Sequence, residues 1–281
     1  MANSDGTDMT ARDPHRFVNE LEKAAVERLI ARLESRARDK VFTGLFDRYA
    51  AELIPGPVGK VLEVGCGTGA TLRALVRHED FSGQAFGVDQ SQDFIAAARD
   101  FVAGESFADR VSFAVGDAHQ LDFPDAAFDV VFAHTLISHV TDPLSVLREM
   151  VRVLRPGGKL AVFDGDYASM TYALPDHDLG QRMDAALVKA SFNNPRIMRD
   201  LPRMMPEFGL KLESAKGEAV VEIGKGSYFK SFAETYASYI VKAGFFPADV
   251  VDRWLAAQQK AIEDGSFFAS CTYYTYIARR A

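Results

Sequence analysis

From Phe17 to Phe42 the apolar residues Val18, Leu21, Ala25, Leu29, Leu33 and Ala37 recur at helical spacing among many charges, which predicts an amphipathic helix or a helix pair. The turn-rich segment IPGPVGK (Ile54–Lys60) breaks this pattern. Short continuous apolar runs then alternate with helical periodicity. KVLEVG from Lys60, QAFGVD (Gln84–Asp89), VSFAVGD (Val111–Asp117), FDVVFAH (Phe128–His134) and KLAVFDGD (Lys159–Asp166) read as strands. Ala70–His78, Ser91–Ala103 and Asp142–Leu154 read as the helices between them, with Ser91 as an N-cap and Pro143 in a first turn.

After Asp166 the alternation stops. Residues 167–208 are expected to form a helical insertion, with helices at about Asp178–Ser191 and Arg196–Phe208; insertions of this kind often wall a substrate site. Lys211–Ile223 alternates like a strand. A helix follows with an aromatic stripe at Phe229, Phe232, Tyr236 and Tyr239, then a second helix opened by Pro247 and stopped by Gly265. Ser266–Arg280 reads as a closing strand. Repeated βα units with apolar strands predict an α/β fold: a doubly wound, Rossmann-like sheet, mostly parallel and covered on both faces. The chain divides into an N-terminal helical extension or lid over 1–57 and a main domain over 58–281, with residues 1–13 expected to be disordered.

Composition then removes whole classes of function. The net charge of −7 argues against nucleic acid as a partner, because phosphate neutralisation needs a basic surface. The N-terminus carries no apolar signal core, and no apolar run is long enough to span a membrane. Cys66 and Cys271 have neither disulfide-framework nor metal-ligand spacing, so a cytoplasmic protein without a metal is expected. The 21 phenylalanines predict a Phe-rich core, or beyond that an apolar substrate pocket.

The chemistry gathers at KVLEVGCGTGA (Lys60–Ala70). Gly65, Gly67 and Gly69 follow the first strand, where a doubly wound sheet presents its ligand. Glycine there permits positive φ and close backbone approach, and the next helix offers free N–H groups. Gly65, Gly67 and Ala70 also fit a dinucleotide fingerprint with Asp89 as its ribose acid, so this motif alone leaves a nicotinamide nucleotide open. Three carboxylates point elsewhere. Glu63, two residues before the turn, repels a pyrophosphate and tolerates a cation. Asp89 ends the second strand, where a carboxylate can take both ribose hydroxyls. Asp117 ends the third, where one can accept from an adenine amino group. They imply an adenosine with a positive centre and no phosphate.

VLEVGCGTGA (61–70), VDQS (88–91), VGDAHQLDF (115–123), FDVVFAHTLISHVTDP (128–143) and LREMVRVLRPGGKL (147–160) together resemble the ordered motifs of class I S-adenosylmethionine-dependent methyltransferases. The nearest likeness is to the small-molecule branch that includes the ubiquinone/menaquinone C-methyltransferases. The resemblance covers about residues 60–165. It implies a seven-stranded sheet with an antiparallel last strand and S-adenosyl-L-methionine as cofactor. The turn Gly65, Cys66, Gly67 and Gly69 would then hold the cofactor's amino-acid end and ribose, with Glu63 anchoring the turn and the ammonium. Asp89 would bind the ribose hydroxyls, Gln90 lie beside the adenine, Asp117 and Ala118 meet its edge, and His134 and Thr135 face the methionine portion.

The implied activity is methyl transfer to a small, largely apolar metabolite at C, O or N, quinone-like or a natural product. Groups to handle an acceptor's proton are His134, His139 and Tyr167, with Asp164 and Asp166 at the same strand end. His119 reads as a surface residue and His177 as a helix cap. A homodimer is one option for the assembly. Two other functions fit the motifs: an NAD(P)-dependent oxidoreductase, and a catalytically silent regulator that keeps the cofactor site.

Overall fold

The computed structural model describes residues 13–15, 17–54, 59–78 and 81–281. The expected disorder of residues 1–13 thus lies outside the described residues apart from Asp13, which is only 2% exposed and is part of the fold. Part of the IPGPVGK break lies outside them as well.

Seven strands form one sheet in the order β3-β2-β1-β4-β5-β7-β6: β1 (Lys60–Val64), β2 (Gln84–Asp89), β3 (Val111–Val115), β4 (Phe128–His134), β5 (Leu154–Tyr172), β6 (Leu210–Gly224) and β7 (Phe267–Arg280). The pairs among β1 to β5 are parallel, and β7 runs antiparallel to both β5 and β6. The chain winds outward from β1 to β3 and then crosses to β4. The carboxyl ends of β1 and β4 therefore flank the switch point where such sheets bind ligands.

Nine α-helices among the described residues cover the sheet: α1 (Lys23–Arg38), α2 (Lys40–Leu53), α3 (Ala70–Val76), α4 (Gln92–Val102), α5 (Pro143–Val153), α6 (His177–Ser191), α7 (Ile197–Met204), α8 (Tyr228–Lys242) and α9 (Ala248–Asp264). The period of two along the strands builds two cores. Val61, Val130, Phe132 and Ala161 pack under α2, α3 and α4. Leu62, Val64, Val131 and Leu160 pack under α5 and α7. No helix among the described residues is long and apolar enough to cross a membrane.

The local signals act as expected at Ser91, whose hydroxyl accepts from Phe94 N, at Pro143 in the first turn of α5, and at Gly265, which ends α9 at φ 77°. Three details differ. The N-terminal helical stretch does not stop at Phe42: Asp39 caps a second helix by accepting from Val41 and Phe42 N, and α2 buries Phe42, Leu45, Phe46, Tyr49, Ala50 and Leu53 at helical spacing. Nor does β5 end at Asp166. After a register shift it continues to Tyr172 against Ala269 and Ser270 of β7, so the helices of the insertion begin only at His177. Finally, α6 is capped by Asp176, which accepts from Leu179 N, rather than by His177.

Gly69 opens α3 at φ 69°, and a Cβ there would stand 2.5 Å from the Phe113 ring. Gly69→Ala is expected to destabilise the fold by about 1–3 kcal/mol through backbone strain, with clash against Phe113 in addition. An unchanged urea midpoint would contradict this.

Candidate active site

The turn after β1 is tied to β2. Gly65 N and Cys66 N both donate to Val88 O, at 2.7 and 3.0 Å. Asp89, at the tip of β2, accepts from Gly67 N at 2.8 Å and from Ser91 N at 2.9 Å, one on each carboxylate oxygen. The Gln90 backbone supplies a third hydrogen bond, and the carboxylate keeps capacity for a further donor. Burial raises the Asp89 pKa against these backbone hydrogen bonds. Gly65 has φ 71°, and a Cβ on it would meet Leu136 at 2.5 Å, so the chain after β4 closes directly on the turn. Cys66 is buried beneath, its thiol pushed well up by burial, and it is no nucleophile.

Glu63 answers why a buried strand carries an acid. In the alternation of β1 it shares the face of Val61, toward α3, and it is 1% exposed. It bonds to Thr71 and to the Leu72 backbone at the start of α3, while its Oε2 has no partner. Burial raises its pKa well above the ordinary carboxylate value, with Thr71 opposing and Asp89 adding to the rise. A buried, unpaired carboxylate oxygen beside a cavity suits a cationic ligand.

The other predicted cofactor residues border this cavity, whose volume is about 440 Å³, except Gly69, which turns away from it against Phe113. The Gln90 amide donates to His15 O at 2.7 Å, and Asn19 donates to Gln90 O at 2.9 Å, so the N-terminal segment clasps the end of β2. Asp117 accepts from the His119 backbone and pairs with its ring Nδ1 at 2.7 Å. Partial burial raises the Asp117 pKa, but the contacts of His119 outweigh it and leave the carboxyl below its usual value. The other ring nitrogen of His119 meets Thr141 Oγ1 at 3.1 Å. His119 is thus a brace between the loops after β3 and β4, not a solvated surface residue. Ala118 and Thr135 line the cavity too, and Thr135 adopts φ 58° with its N–H on Phe163 O.

The three candidates for proton handling fall into different surroundings. His134 Nδ1 is 2.7 Å from the Tyr49 hydroxyl, and its ring stacks on Phe163 at 4.5 Å. Burial, then the charge of Arg36, lowers its pKa well below 6.5. His139 Nδ1 lies 2.7 Å from Asp13 Oδ2. Burial alone would lower the His139 pKa, but the charge and hydrogen bond of Asp13, helped by Asp164, bring it above its ordinary value. Tyr167 stacks on Phe192 at 3.6 Å, and burial raises its phenol well above 10. Asp164 and Asp166 do not border the cavity. Asp164 accepts from Ser138 N and Oγ and so supports the loop carrying His139, and Asp166 pairs with Arg199 at 2.7 Å.

Of the aromatic stripe on α8, Phe232 and Tyr236 line the cavity, whereas Phe229 and Tyr239 pack into the core. Met205 is buried in the second core beside Met204. Asp13, His15, Arg32, Arg36 and Tyr49 also border or brace the cavity and were not singled out by sequence. One signal pointed to the arginines: both flank the Leu29 and Leu33 stripe of α1.

A family profile described as a methyltransferase domain matches residues 62–162. The chain is 35% identical over 147 residues to a phosphatidylethanolamine N-methyltransferase of Cereibacter sphaeroides, covering 50% of this chain and 70% of that protein. It is 36% identical over 131 residues to a 27-O-demethylrifamycin SV methyltransferase of Amycolatopsis mediterranei, covering 47% of each. The matches span only 37% to 63% of the length of the first curated relatives. In fold the chain resembles the YcgJ protein of Bacillus subtilis, with a TM-score of 0.57 and 19% identity, over 84% of this chain and 98% of that one. The family's cofactor is S-adenosyl-L-methionine, not a nicotinamide nucleotide, and the unpaired Glu63 oxygen suits its cationic end. By profile, relatives and sheet topology, the chain belongs to the class I S-adenosylmethionine-dependent methyltransferases.

Proposed function

We propose that the chain transfers a methyl group from S-adenosyl-L-methionine to a small, largely apolar acceptor, with His139 as the base. The observation that carries this reading is that one cavity joins the carboxylates Glu63, Asp89 and Asp117 to an aromatic half made by Tyr167, Phe192, Phe232 and Tyr236. The bound cofactor supplies an electrophilic methyl group, whose in-line displacement depends on alignment more than on covalent help.

Glu63 takes the ammonium, Asp89 the ribose hydroxyls, and Asp117 with Ala118 the adenine edge. Gln90 holds the N-terminal segment over that end. Thr135 and His134 form the floor between the halves, with His134 kept neutral by burial and braced by Tyr49. Asp13 fixes the proton of His139 on Nδ1, which leaves Nε2 to accept a proton from an acceptor hydroxyl or acidic carbon. Tyr167 stacks beside it as part of the acceptor wall. The rifamycin relative, named for methylation at oxygen, is the one whose chemistry a base of this kind serves. Asp13, His15 and Asn19 act as the latches of a lid.

Asp89→Ala is expected to weaken S-adenosylhomocysteine binding by about 1.5–3 kcal/mol, the scale of hydrogen bonds to a charged group. An unchanged dissociation constant by isothermal titration removes the ribose role. In a labelled-methyl assay against cell extract, wild type is expected to label an acceptor and Asp89→Ala to fail. Tight cofactor binding with no acceptor labelled would mark a silent binding protein instead.

A further inference from the structure

α1 presents Arg32 and Arg36 to the cavity, one turn apart. Arg73, the buried arginine of the neighbouring helix, is neutralised by Glu34 at 2.7 Å. Arg32 and Arg36 have no carboxylate at ion-pair distance among the described residues. Asp13, the nearby acid, is taken by His139.

The guanidinium of Arg32 lies over the rings of Tyr228, Phe232 and Tyr236, at 5.1, 4.9 and 5.3 Å, and donates to Ser231 Oγ at 3.2 Å. Ring faces and two hydroxyls, those of Ser231 and Tyr236, stabilise the cation in part. They leave donors of the half-buried guanidinium free toward the cavity and supply no counter-ion.

The two cations differ in position. Arg36 is close enough to act on Glu63 and His134 in the cofactor half and on His139 and Tyr167 in the other. The cofactor brings one carboxylate of its own, and Arg36, bordering both halves, is available to it. The surroundings of Arg32 are Tyr228, Ser231, Phe232, Tyr236 and His15, all in the aromatic half. That leaves one built positive site without an anion, where the acceptor must lie.

We propose that the methyl acceptor is itself an anion, an apolar molecule with a carboxylate or phosphate seated on Arg32 and its body packed against Tyr228, Phe232 and Tyr236. This rests on the methyl-transfer reading for which half of the cavity takes the acceptor. It also accounts for two arginines on the cavity side of α1 in a chain of net charge −7.

The test titrates the full chain, loaded with S-adenosylhomocysteine, with three matched pairs: 1-naphthoate and its methyl ester, 4-hydroxybenzoate and its methyl ester, and phenyl phosphate and phenol. At least one acid is expected to bind about tenfold or more tighter than its uncharged counterpart, the return for one charge-assisted contact. The carboxylate and phosphate pairs show which head group the site takes. Arg32→Gln should abolish the preference and Arg32→Lys should keep part of it, with S-adenosylhomocysteine affinity within about twofold of wild type in both. No acid preferred in any pair, or a preference that survives Arg32→Gln, overturns the anion seat. Failure of the wild type to bind S-adenosylhomocysteine overturns the methyl-transfer reading instead.

Discussion

His139→Ala is expected to slow methyl transfer by about 10²–10⁴-fold, the usual contribution of a positioned base, while S-adenosylhomocysteine affinity stays near wild type. His139 touches no part of the glycine turn, so the loss should appear in kcat. Its pH profile provides the sharper measurement. The base works when neutral, so the rate rises with pH through the His139 pKa, which Asp13 holds above 6.5 against the opposing effect of burial. Asp13→Asn removes the larger support and leaves burial, which favours the neutral ring, opposed only by the lesser pull of Asp164. The rising limb should therefore move to lower pH, with a reduced maximum because the ring is less well oriented. A limb that stays in place in Asp13→Asn, or a His139→Ala enzyme with full kcat, would take the base role from this residue.

Glu34→Ala is the substitution with the largest expected effect on stability. Glu34 receives Arg73 on both carboxylate oxygens at 2.7 Å and Thr68 Oγ1 on one of them, which joins α1, the glycine turn and α3. Arg73 is also covered by the Phe101 ring at 4.6 Å. Removing the acid strands a buried guanidinium, which costs about 3–5 kcal/mol. For a chain of this size that lowers Tm by about 10 °C. Replacing both partners by apolar residues, as in Glu34→Leu with Arg73→Met, should cost far less. Calorimetry on the three proteins decides: equal losses in the single and the double variant would show that the pair is not what holds α1 down. Because Thr68 stands between Gly67 and Gly69, the single variant should also bind cofactor more weakly.

Where a backbone demand falls on one residue, the sequence carried it openly. Gly65, Gly67 and Gly69 take φ of 71°, 52° and 69°, and Ser91, Pro143 and Gly265 mark helix ends at their own positions. The alternating apolar runs placed all seven strands, and the tips of β1 to β4 did assemble Glu63, Asp89, Asp117 and His134 around one cavity. The rest depends on distance along the chain. The last residues of β5 are strand because β7 pairs with them more than ninety positions later, beyond a register shift that no local pattern signals. The Asp13 to His139 contact spans 126 positions and the Tyr49 to His134 contact 85, so neither partner's role is written beside it. His139 was singled out for its motif alone, but the group that tunes it lies in a stretch expected to be disordered.

The N-terminal segment has a practical consequence for turnover. Asp13 grips His139, His15 meets the Tyr236 hydroxyl at 2.7 Å, and Asn19 holds the end of β2. With that segment as the proposed lid, exchange of molecules is expected to require these contacts to part, which ties the pace of each cycle to residues far from the methyl group in sequence. A purification tag fused ahead of Asp13 is expected to disturb those contacts. One attached beyond β7 is expected to leave them intact, because no residue of β7 lines the cavity.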